Sequence, residues 1–141
     1  MTDWSFQLYS ARNHPPLSNT LQLLAELGYT QVEGFGGLYD QAAALRQDLD
    51  RHGLTMPTGH FGLAMLEDPD QALPIIETLG VKTVICPHLA AEQRPSDAAG
   101  WKQMAETLNE VGKPYQAAGL GFGWHNHDFE FIALENGQTP M

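Results

Sequence analysis

The chain has 141 residues, a hydrophobic share of 43% and a formal net charge of -10, which is typical of a single globular domain. Its seven Lys and Arg residues argue against a nucleic-acid partner, because phosphate backbones are bound by clustered basic side chains. No apolar run approaches the ~20 residues that cross a bilayer, so we predict no membrane partner. The single cysteine excludes an internal disulfide, which predicts a cytoplasmic protein.

Short apolar segments alternate with segments of helical spacing along the chain. Strands are predicted over 6–9, 30–35, 54–60, 81–87 and 120–127, and helices over 17–27, 39–52, 68–79 and 96–118. Glycines of the kind that end helices follow these helices at Gly28, Gly53, Gly80 and Gly119. The single cysteine, Cys86, lies in the apolar fourth strand, which predicts a reduced core residue rather than a nucleophile. The alternation predicts an α/β fold with about five parallel strands and four helices.

Polar side chains recur where the predicted strands end. The carboxyl ends of parallel strands lie on one side of a sheet, and ligands bind there. The candidate residues, in chain order, are Glu33, His60, His88, His125, Asn126, His127 and Glu130. Four successive strands each contribute an ionisable group, which predicts a ligand site on this side.

The segment 123–131 carries the densest group of these side chains. His125 and His127 occupy alternate positions, so in a strand they would point the same way, about 6–7 Å apart. Imidazole suits both metal binding and proton transfer near neutral pH, and Asn126 can hold a hydroxyl or carbonyl group. Glu130 is predicted either to bind a cation or abstract a proton, or to pair with a neighbour in a loop. Trp124 either packs or stacks on a sugar.

The earlier strand ends supply weaker candidates. His60 is flanked by Gly59 and, after Phe61, by Gly62, which allow close approach of a ligand; the alternative is a capping histidine in a tight loop. His88 follows Pro87 and faces the same cavity or solvent. Glu33 either contacts a ligand or closes the interior through a salt bridge.

No phosphate-binding loop is present in the sequence. The stretch 34–37 (Gly-Phe-Gly-Gly) follows a strand but lacks the third glycine in register and the Lys-Ser/Thr ending. We interpret it as a flexible loop.

Three segments carry a family resemblance: residues 6–10 (Phe-Gln-Leu-Tyr-Ser), 27–34 (Leu-Gly-Tyr-Thr-Gln-Val-Glu-Gly) and 124–131 (Trp-His-Asn-His-Asp-Phe-Glu-Phe). They resemble the sugar phosphate isomerase/epimerase family, the xylose isomerase-like TIM barrels, a group that also contains endonuclease IV. The resemblance implies a (β/α)8 barrel that acts on a small-molecule carbohydrate, with a divalent metal ion (Mn, Mg, Zn or Co) at its carboxyl-terminal face. Many relatives have a metal-binding Glu where this chain has His125, so the metal ligands expected here are Glu130 and His125.

The predicted reaction is isomerisation or epimerisation by proton transfer at a carbohydrate carbon. His125, His127, Glu130 and His60 are the expected catalytic residues, and Asn126, His88, Glu33 and Trp124 the expected substrate contacts. The alternatives are a keto-sugar lyase or hydratase, and a catalytically silent sugar-binding or truncated gene product. An endonuclease is disfavoured by the negative charge.

The length is short for this fold. A (β/α)8 barrel takes about 250 residues, so residues 1–141 are predicted to form a single incomplete barrel domain, its amino-terminal part. An open sheet edge invites pairing, and a homodimer that covers this edge is therefore a possible partner arrangement.

Overall fold

The computed structural model describes residues 3–141, and within them five parallel strands form one open sheet in the order β1-β2-β3-β4-β5. The strands are β1 Ser5–Gln7, β2 Gln31–Phe35, β3 Thr55–His60, β4 Thr83–Cys86 and β5 Gly121–Trp124. Each strand pairs with its neighbour in sequence, which is the repeating βα arrangement of barrels. The predicted α/β class with five parallel strands is confirmed.

Helices connect the strands and cover one face of the sheet. In the described residues they are α1 Leu17–Glu26, α2 Ala42–Arg51, α3 Leu63–Leu66, α4 Pro69–Leu79 and α5 Ala98–Ala117. The four longer ones match the four predicted helices, whereas α3 has only four residues, too few to produce a detectable period. Local chemistry sets the bounds of α4: Asp68 accepts a hydrogen bond from the Gln71 N–H at 3.2 Å, and Gly80 ends the helix with φ +75°. No helix in residues 3–141 is long and apolar enough to cross a membrane.

The fifth strand is shorter than predicted. It ends at Trp124, which pairs with Cys86, the last residue of β4. The next residue of β4 would be Pro87, which has no N–H to donate to a ladder. The His125 N–H still bonds to the Cys86 carbonyl at 3.0 Å, but residues 125–127 then leave the sheet. The expectation that His125 and His127 alternate along a strand is therefore wrong.

The core lies between the sheet and its helices. Its central residues include Val32, Met56, Val84, Leu49 and Ile76. Cys86 is fully buried and unpaired, as predicted, and burial raises the pKa of its thiol to about 11.

Tyr39 shows how closely the sheet and its covering layer pack. Its ring stacks on Phe61 with the centroids 4.4 Å apart. A Cβ added at Gly34 or Gly59 would lie 3.0 or 2.7 Å from the Tyr39 hydroxyl oxygen. Only glycine at these two strand positions admits the tyrosine.

The large exposed apolar side chains are concentrated at the two borders of the sheet. Those near β1 and α1 are Trp4, Tyr9, Leu23 and Leu27, and those after β5 are Phe131, Ile132 and Met141. Among the described residues, the central elements β2 to β4 carry none. The apolar surface thus faces the places where a closed barrel would continue.

Candidate active site

A cavity of about 520 Å³ opens at the carboxyl ends of the strands. Four of the six histidines of the chain line it, namely His60, His88, His125 and His127. Gln7, Tyr9 and Phe35 complete the wall on the side of β1 and β2. The volume lies in the range of small-molecule sites, and the structure therefore brings four of the predicted site residues together.

His60 is the last residue of β3 and is held by a network that crosses three strands. Gln7, Glu33 and Thr58 are in register on β1, β2 and β3. Glu33 Oε1 accepts a hydrogen bond from Gln7 Nε2 at 3.1 Å and lies 3.1 Å from His60 Nε2. Glu33 Oε2 accepts a hydrogen bond from the Thr58 hydroxyl at 2.7 Å. The register of the parallel sheet thus assembles the network from residues far apart in sequence.

The network fixes the ionisation of Glu33. The hydrogen bond with His60, followed by those with Thr58 and Gln7, outweighs burial and lowers the Glu33 pKa to about 2. Because an ionised carboxylate only accepts hydrogen bonds, His60 must donate to it through Nε2–H. His60 Nδ1 is then left facing Gln7 Nε2 at 3.5 Å, a distance at the limit of a hydrogen bond.

His125 lies beside His60 with the ring centroids 4.9 Å apart, and 5.0 Å from the His127 ring. Burial, then the charges of His60 and His127, lower the His125 pKa. Its neutral form therefore dominates at pH 7, and a neutral imidazole can accept a proton.

His88 is oriented by Arg94, which follows it in the loop after β4. Arg94 Nη2 lies 3.0 Å from His88 Nε2. Since guanidinium only donates, His88 Nε2 accepts, and the ring is neutral with its proton on Nδ1. The same guanidinium lies 3.7 Å over the Phe129 ring.

Glu130 lies outside the histidine cavity. It is 1% exposed, and its two carboxylate oxygens accept hydrogen bonds from Trp124 Nε1 at 3.0 Å and the His127 N–H at 2.8 Å. Glu130 and Trp124 line a separate, mainly apolar cavity of about 210 Å³ beside α5. Asn126 is exposed and makes a long contact of 3.4 Å to the His127 carbonyl. The structure thus leaves three predicted site residues apart from the four histidines.

The fold of this chain matches the folds of solved proteins. No protein-family model matches the sequence, and the search of curated proteins found no match. A solved AP endonuclease, family 2, from Brucella melitensis superposes with a TM-score of 0.68 and 17% identity, over 88% of this chain and 55% of that one. The fold is that of about half of a xylose isomerase-like TIM barrel. The resemblance drawn from the sequence is confirmed at the level of the fold.

Two other xylose isomerase-like structures match over similar spans. The IolI protein with a bound zinc atom has a TM-score of 0.66 and 17% identity, over 87% of this chain and 51% of that one. D-psicose 3-epimerase, solved in the presence of D-fructose, has a TM-score of 0.61 and 14% identity, over 86% and 51%. The chain spans about half the length of these structures, and identities this low establish the fold alone.

The described residues do not form a complete metal centre of the kind implied by xylose isomerase-like relatives. Within residues 3–141, no group of three or more His, Cys, Asp or Glu side chains is arranged to hold a metal ion. Both oxygens of Glu130 and both oxygens of Glu33 are already engaged by protein donors. The donor set of this chain therefore does not fit a metal ion by itself, and the metal roles of Glu130 and His125 stay predictions.

Sequence reasoning missed Gln7, Thr58 and Arg94. Gln7 and Thr58 carry no charge, and an inventory of ionisable strand ends passes over them. Only the register with Glu33 shows their role. The signal for Arg94 was available, because it is the only Lys or Arg between Lys82 and Lys102 and follows a strand end.

Proposed function

We propose that this chain carries the histidine-lined part of the active site of an enzyme that isomerises or epimerises a sugar. The reaction would proceed by proton transfer at a carbon next to a carbonyl group. The observation that carries the proposal is the pair His60 and His125, with ring centroids 4.9 Å apart in one cavity. One ring is neutral and free to accept a proton, and the other is oriented by an ionised carboxylate.

The two imidazoles take different roles in this proposal. His125 removes the proton from the sugar carbon, because a lowered pKa keeps it in its basic form at pH 7. His60 Nδ1, which carries no proton while Nε2–H donates to Glu33, takes the proton of the sugar hydroxyl on the adjacent carbon, and Glu33 stabilises the positive charge that this gives the His60 ring. His88 offers its Nδ1–H to a further hydroxyl group, and His127 closes the wall between His88 and His125.

The epimerase and IolI structures support a carbohydrate substrate and, for the complete barrel, a divalent metal ion. The carbohydrate substrate and the metal ion are both part of the proposal. So are a cytoplasmic location and a second copy of this chain that covers the open sheet edge. Glu130, Asn126 and Trp124 have supporting roles here: Glu130 holds Trp124 and the His127 backbone in place, and Asn126 lies on the outer side of the loop.

Exchange of sugar C–H protons with solvent tests the proposal. The full chain is incubated with D-fructose and other ketoses and aldoses in D2O, and loss of the C–H signal next to the carbonyl is followed by 1H NMR. We expect exchange by the unaltered chain, and a loss of about 100-fold or more for H125N and for H60N. H14N is the matched control, because His14 lies on another surface, near α1, and it should retain full exchange.

Each outcome separates the candidate functions. Exchange that survives in H125N contradicts the assigned base. Sugar binding without any exchange identifies a silent binding module and overturns the proposal. Deuterium incorporation accompanied by loss of water identifies a lyase or hydratase instead of an isomerase.

A further inference from the structure

We infer that Gln7 determines which sugars the histidine cavity accepts, because its side-chain oxygen, Oε1, accepts a hydrogen bond from one hydroxyl group of the ligand. The inference rests on the proposed function for the identity of the ligand as a sugar. Its own content is an uncharged residue that reads a hydroxyl group with no part in the proton transfer. Gln7 lies on β1, at the sheet edge opposite to the strand that His125 follows.

The contacts of the Gln7 amide nitrogen fix the direction of the whole amide group. Gln7 Nε2 donates to Glu33 Oε1 at 3.1 Å and lies 3.5 Å from His60 Nδ1. Both neighbours are acceptors, because Glu33 is ionised and the His60 proton lies on Nε2, so only the NH2 group can face them. The carbonyl oxygen on the same carbon therefore points away from Glu33 and His60.

Gln7 Oε1 has no protein partner within residues 3–141. The hydrogen bonds of this side chain are made by its nitrogen, and the side chain does not cap the 3-10 helix Leu8–Ala11 that follows β1. Within the same residues, the buried side-chain atoms that lack a partner are Tyr39 Oη, Arg46 Nε and His127 Nδ1. Gln7 Oε1 is thus unpaired without being buried, and Gln7 lines the histidine cavity. The cavity is therefore the place from which a ligand reaches this oxygen.

Gln7 differs from the other polar residues of the cavity because its role cannot change. Among the described residues that line the cavity, the others are four histidines and Tyr9. A phenol both donates and accepts, and a neutral imidazole exchanges the two roles when its tautomer changes. Reversal of the Gln7 amide would place its oxygen against the Glu33 carboxylate, where neither atom carries a proton. The amide is thus suited to discriminate between ligands.

A fixed acceptor selects a ligand that carries a donor at the matching position. A sugar hydroxyl supplies that donor, whereas a deoxy carbon does not. When a ligand covers the acceptor without pairing with it, the lost hydrogen bonds to water cost free energy, so the deoxy analogue is rejected. Because Gln7 Nε2 lies 3.5 Å from His60 Nδ1, the hydroxyl read by Oε1 lies close to the one that His60 binds.

The affinity of the full chain for D-fructose and for its 3-, 4-, 5- and 6-deoxy analogues tests the inference without turnover. NMR shifts of the histidine ring protons measure each Kd. We expect one analogue to bind the unaltered chain about tenfold more weakly than D-fructose. Q7M keeps the length of the side chain but removes the amide. It should weaken D-fructose to the affinity of that analogue, so that the ratio of the two Kd values falls to about one.

Two control variants separate contact with the ligand from support of Glu33. T58V removes another hydrogen bond to Glu33, from a residue that is not part of the cavity lining. Any change that it causes should be the same for all five sugars, and the ratio should be kept. Q22M makes the same replacement at an exposed glutamine of α1 that also donates to a glutamate, Glu26, at 2.8 Å, and it should change no Kd. Q7L replaces Q7M if urea unfolding shows that Q7M is not folded.

Three results overturn the inference. They are equal affinity for D-fructose and all four analogues, a ratio that Q7M leaves unchanged, and an equal change of the ratio in T58V and Q7M. No binding of any of the five sugars overturns it together with the proposed function. A ratio that depends on Gln7, without exchange of C–H protons, would overturn only the proposed function. Exchange with the ratio kept in Q7M would overturn only the role of Gln7.

Discussion

The strand side of the cavity, with His60, and the loop side, with His88, His125 and His127, hold their imidazoles by different means. On the strand side, Gln7, Glu33 and Thr58 form a hydrogen-bonded row whose spacing is set by the sheet. On the loop side, the centroid of the His127 ring lies 5.0 Å from that of His125 and 5.1 Å from that of His88. Arg94 contacts the His88 ring, and Glu130 accepts a hydrogen bond from the His127 N–H. The strand side can keep its geometry without a ligand, whereas the loop side depends on a few contacts per residue.

The largest effect is expected for E130A on the loop side. It leaves the Trp124 Nε1–H and the His127 N–H without acceptors, and buried unsatisfied donors of this kind cost about 2–4 kcal/mol in total. Urea unfolding followed by tryptophan fluorescence measures the loss. E135A, which removes an exposed carboxylate from the same segment, should be nearly neutral. Similar losses in both variants would show that the two Glu130 contacts stabilise nothing.

A smaller loss of stability is expected on the strand side at low pH, where Glu33 becomes protonated. The Glu33 pKa is lowered from 4.5 to about 2, so its stabilisation is complete above pH 4.5 and is lost as the pH falls toward 2. The free energy of unfolding of the unaltered chain should therefore fall by about 1–2 kcal/mol more than that of E33Q across this window, after allowance for partial exposure. Urea unfolding at several pH values gives both curves. Parallel curves would contradict the role assigned to the row.

The smallest expected effect is electrostatic and acts between His60 on the strand side and His125 on the loop side. His60 is one of the charges that lower the His125 pKa, so H60N should raise that pKa toward its ordinary value. The change is read from an NMR titration of the His125 ring proton, with H125N to assign the signal. H14N should leave the titration unmoved. An unchanged pKa in H60N would mean that the strand side does not influence the loop side electrostatically.

The same division explains what the sequence could predict. The helix-glycine-strand alternation predicts the elements and their approximate bounds, because caps such as Asp68 and Gly80 act on residues next to them in the sequence. The meeting of His60 with His125 was foreseeable, since parallel strands end on one side. The partners of Glu33 were not, because they depend on the register among β1, β2 and β3. Nor was the engagement of Glu130, which depends on the path of a loop after the sheet has ended.

Pro87 has a consequence for how this protein can change. By ending the ladder on β4 after the bond to His125 N–H, it leaves the residues that follow His125 without a strand partner. Substitutions in that segment therefore need not satisfy a pleat or a cross-strand neighbour. New recognition chemistry can be acquired there through simple replacement of side chains, while the row beneath it preserves the scaffold unchanged.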